Sequence, residues 1–259
     1  MNVVGVQLNS VWENKAANHD KLSAWLAANP PEIGSLVVLP EMWATGFSFD
    51  VPAITETPSL ETETYLSELA RHYQISLLGG VVTTGQDGRG LNQCVVYGPD
   101  GLEVARYTKI HPFSYGGESV AYGRGSEVIL FDWNGFKVAP FICYDLRFPE
   151  IFRSAVQQGA ELFCVIANWP QERVDHWITL LKARAIENQT FVLGVNRCGQ
   201  DPNLTYSGQS VIYGPRGDLL AEGGMEESVF SAKLDRLELQ NYRREFPALA
   251  DINAAYMAP

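Results

Sequence analysis

The sequence predicts an α/β fold with a mixed sheet and helices outside it, on three observations. Short continuous apolar runs alternate along the chain with stretches of helical periodicity. Two hairpin patterns of one design, each turning through Gly, Pro and Asp, stand far apart in the chain and suggest a two-layer sheet arrangement with related halves. Of the 259 residues, 46% are hydrophobic, enough for a sizeable core. Composition does not break along the chain, so residues 1–259 are expected to form a single domain.

Residues 3–8 read as a first strand. A helix follows over 14–28, with Leu22, Trp25 and Leu26 at helical spacing, and Asn29-Pro30-Pro31 ends it. The run 36–39 is apolar throughout, as expected of a strand covered on both faces, and Pro40-Glu41 closes it. A second helix is expected over about 59–73, with Glu61 and Glu63 favouring its amino-terminal end, and then a strand over 75–83. The first hairpin spans 92–97 and 102–107 around Gly98-Pro99-Asp100-Gly101. A strand at 136–142 stops at Cys143, and Pro149 suits the first turn of a helix running to 158. A strand at 162–166, a helix at about 175–188 and a strand at 191–196 follow, and the second hairpin joins 211–213 to 219–221. From about 238 the chain is less periodic but carries Tyr242, Phe246 and Tyr256. Such a tail packs on a partner subunit or on its own core, and sequence does not choose.

The net charge of −11, without a run of Lys or Arg, argues against nucleic acid or an anionic membrane as partner and favours a small molecule. The amino terminus lacks the pattern of a signal peptide, and no apolar stretch reaches membrane-spanning length, so a soluble cytoplasmic protein is expected. Cys94, Cys143, Cys164 and Cys198 are widely separated, without zinc-ligand spacing, so neither a metal site nor a disulfide scaffold is indicated. Cys94 and Cys164 lie inside strand-like runs and are expected in the core.

Three strand ends carry reactive side chains. Cys143 sits where an apolar strand meets the polar turn Tyr144-Asp145-Leu146-Arg147, the kind of place where open α/β sheets build ligand sites. A small buried hydrophobe is the competing reading for a free cysteine. Glu41 ends the run 36–39, where partial desolvation would raise its pKa into the range of acid-base work, unless it is simply solvated. Lys109 ends the first hairpin without charged neighbours, as either an oxyanion electrophile or a surface lysine. Base, electrophile and nucleophile are the minimum set for covalent acyl transfer.

The segments Leu39-Pro40-Glu41-Met42, Tyr107-Thr108-Lys109-Ile110-His111 and Ile142-Cys143-Tyr144-Asp145-Leu146-Arg147-Phe148-Pro149-Glu150 resemble, in order, the three signature blocks of the nitrilase superfamily of carbon-nitrogen hydrolases. The resemblance covers essentially the whole chain. It implies a four-layer αββα sandwich, with Glu41, Lys109 and Cys143 as catalytic triad and Glu118, in Tyr115-Gly116-Gly117-Glu118, as the second glutamate that helps position substrate and lysine. Ala167-Asn168-Trp169-Pro170, Arg173 and the segment 183–189 are similar to the omega-amidase branch, whose members hydrolyse the terminal amide of 2-oxoglutaramate or 2-oxosuccinamate. Arg173 would then hold the distal carboxylate, unless it is a surface charge. The backbone N–H of Tyr144 would share the oxyanion with Lys109, and Phe113 and Trp169 are expected beside the substrate.

No cofactor is expected, since a thiolate, a proton shuttle and water complete such a reaction. A homodimer or higher homo-oligomer is expected from the family. Alternatives at this stage are a Cys-His hydrolase using His111 or His176, a superfamily hydrolase of N-carbamoyl compounds, deaminated glutathione or nitriles, and a non-catalytic binding protein on the same scaffold.

Overall fold

The computed structural model describes residues 1–253 and contains two six-stranded sheets. The first half of the chain runs β1 (Asn2–Gln7), α1 (Lys15–Ala28), β2 (Leu36–Val38), α2 (Val51–Ile54), α3 (Glu61–Tyr73), β3 (Ser76–Thr84), β4 (Gly90–Tyr97), β5 (Glu103–Thr108) and α4 (Glu118–Ala121). The second half runs β6 (Phe131–Trp133), β7 (Phe136–Ile142), α5 (Pro149–Gln157), β8 (Leu162–Ala167), α6 (Val174–Asn188), β9 (Phe191–Asn196), β10 (Cys198–Gln200), β11 (Thr205–Ser207), β12 (Val211–Tyr213), β13 (Leu219–Glu222), β14 (Ser228–Lys233) and α7 (Arg236–Glu245).

The halves share one plan. In the first sheet β1, β2 and β3 are parallel, and the antiparallel hairpin β4–β5 extends one edge. In the second, β7, β8 and β9 are parallel, and β12–β13 extends one edge. Each remaining edge is an antiparallel strand, β14 beside β1 and β6 beside β7. The two similar hairpins therefore mark equivalent edges of the two layers.

Alternation along the first sheet's strands separates its faces. Val3, Leu36, Val38, Leu78, Cys94 and Val96 pack with Val138, Leu162 and Cys164 of the second sheet. Their neighbours Val4, Val37, Leu77 and Val95 pack instead against Leu22 and Leu26 of α1 and Leu66 and Ala70 of α3. On the far side of the second sheet, Phe152 of α5 lies 4.0 Å, centroid to centroid, from Phe141 and 5.3 Å from Phe163. α6 approaches so closely that a Cβ on Gly194 would come within 2.4 Å of Leu181 and 2.9 Å of Trp177. The layers are thus helix, sheet, sheet, helix, the four-layer αββα sandwich.

Most strand and helix positions agree with the sequence pattern to within one or two residues. The short elements α2, α4, β6, β10 and β11 were not legible in it, and neither were β14 and α7. β14 buries only Phe230 fully, and the α7 stretch buries only Leu239, so neither shows a clear period. α7 returns to its own chain: Arg243 donates to the carbonyls of Gln189 and Ala160, both at 2.9 Å, and Arg216 stacks on Tyr242 at 4.1 Å. Tyr256 lies outside the described residues. No helix among the described residues is long and apolar enough to cross a membrane.

Candidate active site

Glu41 is placed by a close backbone contact. Leu39 still pairs with β3, its N–H donating to Leu78 at 2.9 Å, and the chain then turns through Met42 at φ +44°. The turn lies flat on β3 because position 80 is glycine: a Cβ there would sit 2.4 Å from the Met42 nitrogen and 2.9 Å from Glu41 Cα. Both carboxylate oxygens are occupied. Oε1 accepts from Lys109 Nζ at 2.9 Å and from Asn92 Nδ2 at 2.7 Å, and Oε2 accepts from the Asn168 N–H at 2.8 Å. Asn168 Nδ2 also donates to the Glu41 carbonyl at 2.7 Å, so Glu41 of one layer is held by the strand end of the other.

Lys109 follows β5 and is fully buried. Its Nζ meets Glu118 at 2.8 Å and 3.0 Å as well as Glu41. Burial alone would lower the pKa of this ammonium, but the carboxylates of Glu118 and Glu41 outweigh it and hold it well above the ordinary lysine value. Glu118, at the start of α4, accepts from the Phe113 N–H and from Asn92 Nδ2, the latter at 2.9 Å. Asn92 thereby ties the two carboxylates together on one amide group. Two carboxylates and one ammonium, all buried, form a cluster in which each ion's desolvation is offset by the others and by neutral donors.

Cys143 opens a 3-10 turn, Cys143–Arg147, between β7 and α5, and sits at φ +48°. A left-handed conformation costs a non-glycine residue about 1–2 kcal/mol, so surrounding contacts must fix it. Asp145 does so. Its Oδ2 accepts from the Ile142 N–H at 3.1 Å and from Tyr107 Oη at 2.7 Å, while its Oδ1 accepts from the His111 N–H and meets His111 Nδ1, both at 2.9 Å. Arg184 of α6 donates to the Leu146 carbonyl at 2.7 Å. The turn is therefore clamped to β5 on one side and to α6 on the other. Burial first, and then the negative charge of Glu41, push the Cys143 thiol well above its ordinary range, with Lys109 pulling the other way. At neutral pH it is a thiol beside a base.

A cavity of about 40 Å³ opens at this point. Cys143 and Lys109 lie on its wall, with Tyr144, Phe113, Trp169 and Arg173 around them, while Glu41 and Glu118 are joined to that wall through Lys109. Arg173 faces the Phe113 ring at 5.9 Å and pairs loosely with Glu172 at 3.6 Å, leaving its guanidinium open to another partner. A second cation was missed: Arg147 also lines the cavity, stacked 4.8 Å from Trp169 and 3.1 Å from His176 Nδ1. Its place within the Ile142–Glu150 segment that carries the cysteine was the available signal. Asn168 stood only within the Ala167–Pro170 segment, with no role attached, and Asn92 carried no signal, because an amide at a strand position looks like any other polar residue. Of the two candidate histidines, His111 is engaged by Asp145 and stacked on Phe148 at 3.8 Å, and His176 is engaged by Arg147. The charges acting on Cys143 are Glu41, Lys109 and Glu118. No group of three potential metal ligands occurs among the described residues.

A sandwich of this layering, with a thiol, a carboxylate and a buried ammonium at neighbouring strand ends, defines an acyl-transferring hydrolase class. Residues 3–244 match the carbon-nitrogen hydrolase family, and the chain belongs to it. It is 32% identical over 239 residues to a 2-oxoglutaramate amidase of Bacillus subtilis, covering 92% of each chain. It is 39% identical to an omega-amidase of Yersinia enterocolitica, covering 83% of each. Among solved structures, a carbon-nitrogen hydrolase superfamily protein of Xanthomonas campestris, with an arsenic adduct in its active site, superposes with a TM-score of 0.90 at 31% identity over 98% of this chain and 97% of that one. A Saccharomyces cerevisiae member of branch 10 of the nitrilase superfamily gives 0.86 at 26% identity, over 95% and 94%.

Proposed function

We propose that the chain is an omega-amidase that releases ammonia from the terminal amide of 2-oxoglutaramate and 2-oxosuccinamate through a thioester on Cys143. The observation that carries this reading is the juxtaposition of a buried Glu41, Lys109, Glu118 cluster with Cys143, in a small cavity rimmed by Arg147 and Arg173. Two guanidinium groups suit a substrate that presents a carboxylate and a neighbouring 2-oxo oxygen.

As the thiol attacks, Glu41 takes its proton and the S–C bond forms. The amide oxygen becomes an oxyanion held by Lys109 Nζ and the Tyr144 N–H. Glu41 then returns the proton to the nitrogen, the C–N bond breaks and ammonia leaves, with the acyl group on sulfur. A water enters, gives its proton to Glu41 and bonds to the acyl carbon; the S–C bond breaks, and the proton returns to the thiolate. Glu118 keeps Lys109 charged and in place throughout. Asn92 orients both carboxylates. The raised thiol pKa fits this order, because the proton transfer accompanies attack instead of preceding it.

The proposal takes residues 1–259 as one hydrolase domain, cytoplasmic and self-associating. The four cysteines are free thiols, as a reducing compartment maintains. Ile186, Leu219 and Leu220 are exposed apolar side chains near one sheet edge that burial against a second copy would cover.

The test is ammonia release from 2-oxoglutaramate, 2-oxosuccinamate, glutamine, asparagine, an N-carbamoyl amino acid and a nitrile, run beside Cys143→Ala. The 2-oxo amides should lead by about tenfold or more in kcat/KM, and mass spectrometry of the quenched enzyme should find the acyl group on Cys143. A preference for the carbamoyl compound or nitrile, or turnover by Cys143→Ala, sinks the reading.

A further inference from the structure

The cavity has one wall built by an element outside the signature blocks. β10 and β11 pair antiparallel, Cys198 with Ser207 and Gln200 with Thr205, and carry a short tip. Asp201 closes that tip: its Oδ1 accepts from the N–H groups of Asn203 at 2.7 Å and Leu204 at 2.8 Å, and its own N–H donates to the Leu204 carbonyl at 3.0 Å. Its Oδ2 accepts from Tyr206 Oη at 2.7 Å. Beneath it Arg197, fully buried, stacks on the Tyr206 ring at 4.5 Å and donates to the carbonyls of Ser10 and Gln200, both at 3.2 Å. The hairpin is thus fixed through backbone and polar contacts that do not involve the Leu204 side chain.

Pro202, Asn203 and Thr205 are exposed, whereas Leu204 is half-buried and lines the catalytic cavity. A second hollow, wider and polar, of about 520 Å³, lies beside it among Gln171, Glu172, Asn203 and Thr205. Pro170 and Leu204 line both hollows. The catalytic cavity is small while space adjoins it, and one compact ring and one isobutyl group are common to both linings.

We propose that Leu204 sets the acyl length this enzyme accepts. Its side chain confines the substrate to short, unbranched amides by closing the catalytic cavity against the neighbouring recess; trimming it would join the two and admit longer polar acyl chains alongside Gln171, Asn203 and Thr205. The inference rests on the amidase reading above. A methylene more or less in a pocket changes discrimination by about tenfold to two-hundredfold, so the effect is measurable.

The experiment compares kcat and KM for 2-oxosuccinamate, 2-oxoglutaramate, 2-oxoadipamate and 2-oxopimelamate in wild type, Leu204→Ala and Leu204→Phe. In Leu204→Ala the ratio of kcat/KM for 2-oxopimelamate to that for 2-oxosuccinamate should rise by about tenfold or more, mainly through KM. In Leu204→Phe, 2-oxoglutaramate should lose ground to 2-oxosuccinamate. Ratios within about twofold of wild type in both variants, with thermal unfolding intact, overturn the assignment. Should Leu204→Ala fail to fold, Leu204→Val is read by the same ratio. If the wild type acts on no 2-oxo amide, the amidase reading falls by itself; the ratio of hexanamide to propionamide hydrolysis then decides for Leu204 separately, a rise in Leu204→Ala supporting the partition and an unchanged ratio overturning it.

Discussion

Cys143 at the end of β7 and the pair Cys94 and Cys164 in the middle of the sandwich invite comparison, because all three thiols are held above their ordinary range, in each case chiefly by burial. Cys94 and Cys164 are fully buried on β4 and β8, where the inner faces of the two sheets meet, among apolar neighbours. Cys143 is half-buried, turned out by a left-handed backbone and clamped there by Asp145. Glu41 and Lys109 act on its sulfur. A perturbed thiol therefore does not distinguish a nucleophile from a core residue in this molecule. A base beside it, a buried ammonium and an opening toward solvent do.

The sharpest way to break the comparison is to remove one thiol from each region. Cys143→Ala should lower kcat by at least about 10³-fold with little change in unfolding midpoint. Cys164→Ala should leave kcat intact and cost about 1 kcal/mol of stability in urea titration. Equal activity losses would mean that the two regions are not functionally distinct.

Next in size is the base: Glu41→Gln keeps the shape and hydrogen bonds but cannot take a proton, and kcat should fall by about 10²–10⁴-fold in the ammonia assay. Lys109→Met leaves two carboxylates buried without their cation and should destabilise the fold by about 3–5 kcal/mol in urea titration; adding Glu118→Gln should restore part of that loss. Full stability retained in Lys109→Met would mean that the ammonium does not hold this cluster together.

Arg173→Ala should raise KM for 2-oxoglutaramate by about tenfold or more, the loss expected for a charged hydrogen bond, with kcat nearly unchanged. A fall in kcat instead would move Arg173 from binding to alignment.

The smallest effect treats both regions alike. The folded chain retains the protons of Cys94, Cys143 and Cys164 above the range, about pH 8.5, where the unfolded chain releases them. Above that pH the unfolded state binds fewer protons than the native state, so stability falls as pH rises; below it these groups contribute no slope. Urea midpoints at about pH 7 and pH 10 should show the decline, and Cys94→Ala should flatten it as much as Cys143→Ala does.

Strand and helix order was legible because β1, β2, β8 and β9 are largely apolar and buried apolar residues recur four apart in the helices, Leu22 and Leu26 in α1, Trp177, Leu181 and Ala185 in α6. Glu41 and Cys143 stood out because each interrupts such a run at its end, and Lys109 because it ends the hairpin strand with no other acid, lysine or arginine directly after it. Glu118 could be picked only from the family pattern, since its own segment, between Gly117 and Ser119, looks like an exposed loop, yet the side chain is fully buried. The roles of Asn92, Asn168, Asp145, Arg147 and Leu204 required the structure. Their significance lies in partners tens of residues away.

The sequence by itself determined the layers and the three reactive strand ends, because burial and chain reversal leave a local record in apolar period, Gly and Pro. Only the tertiary structure decided what those ends meet: that Asn168 of the second sheet would hold Glu41 of the first, that Asp145 would hold the left-handed Cys143 turn to β5, and that Leu204 would close the cavity. Such contacts join residues with no shared period or spacing. They are fixed by the relative placement of two packed sheets, which no local stretch of chain encodes.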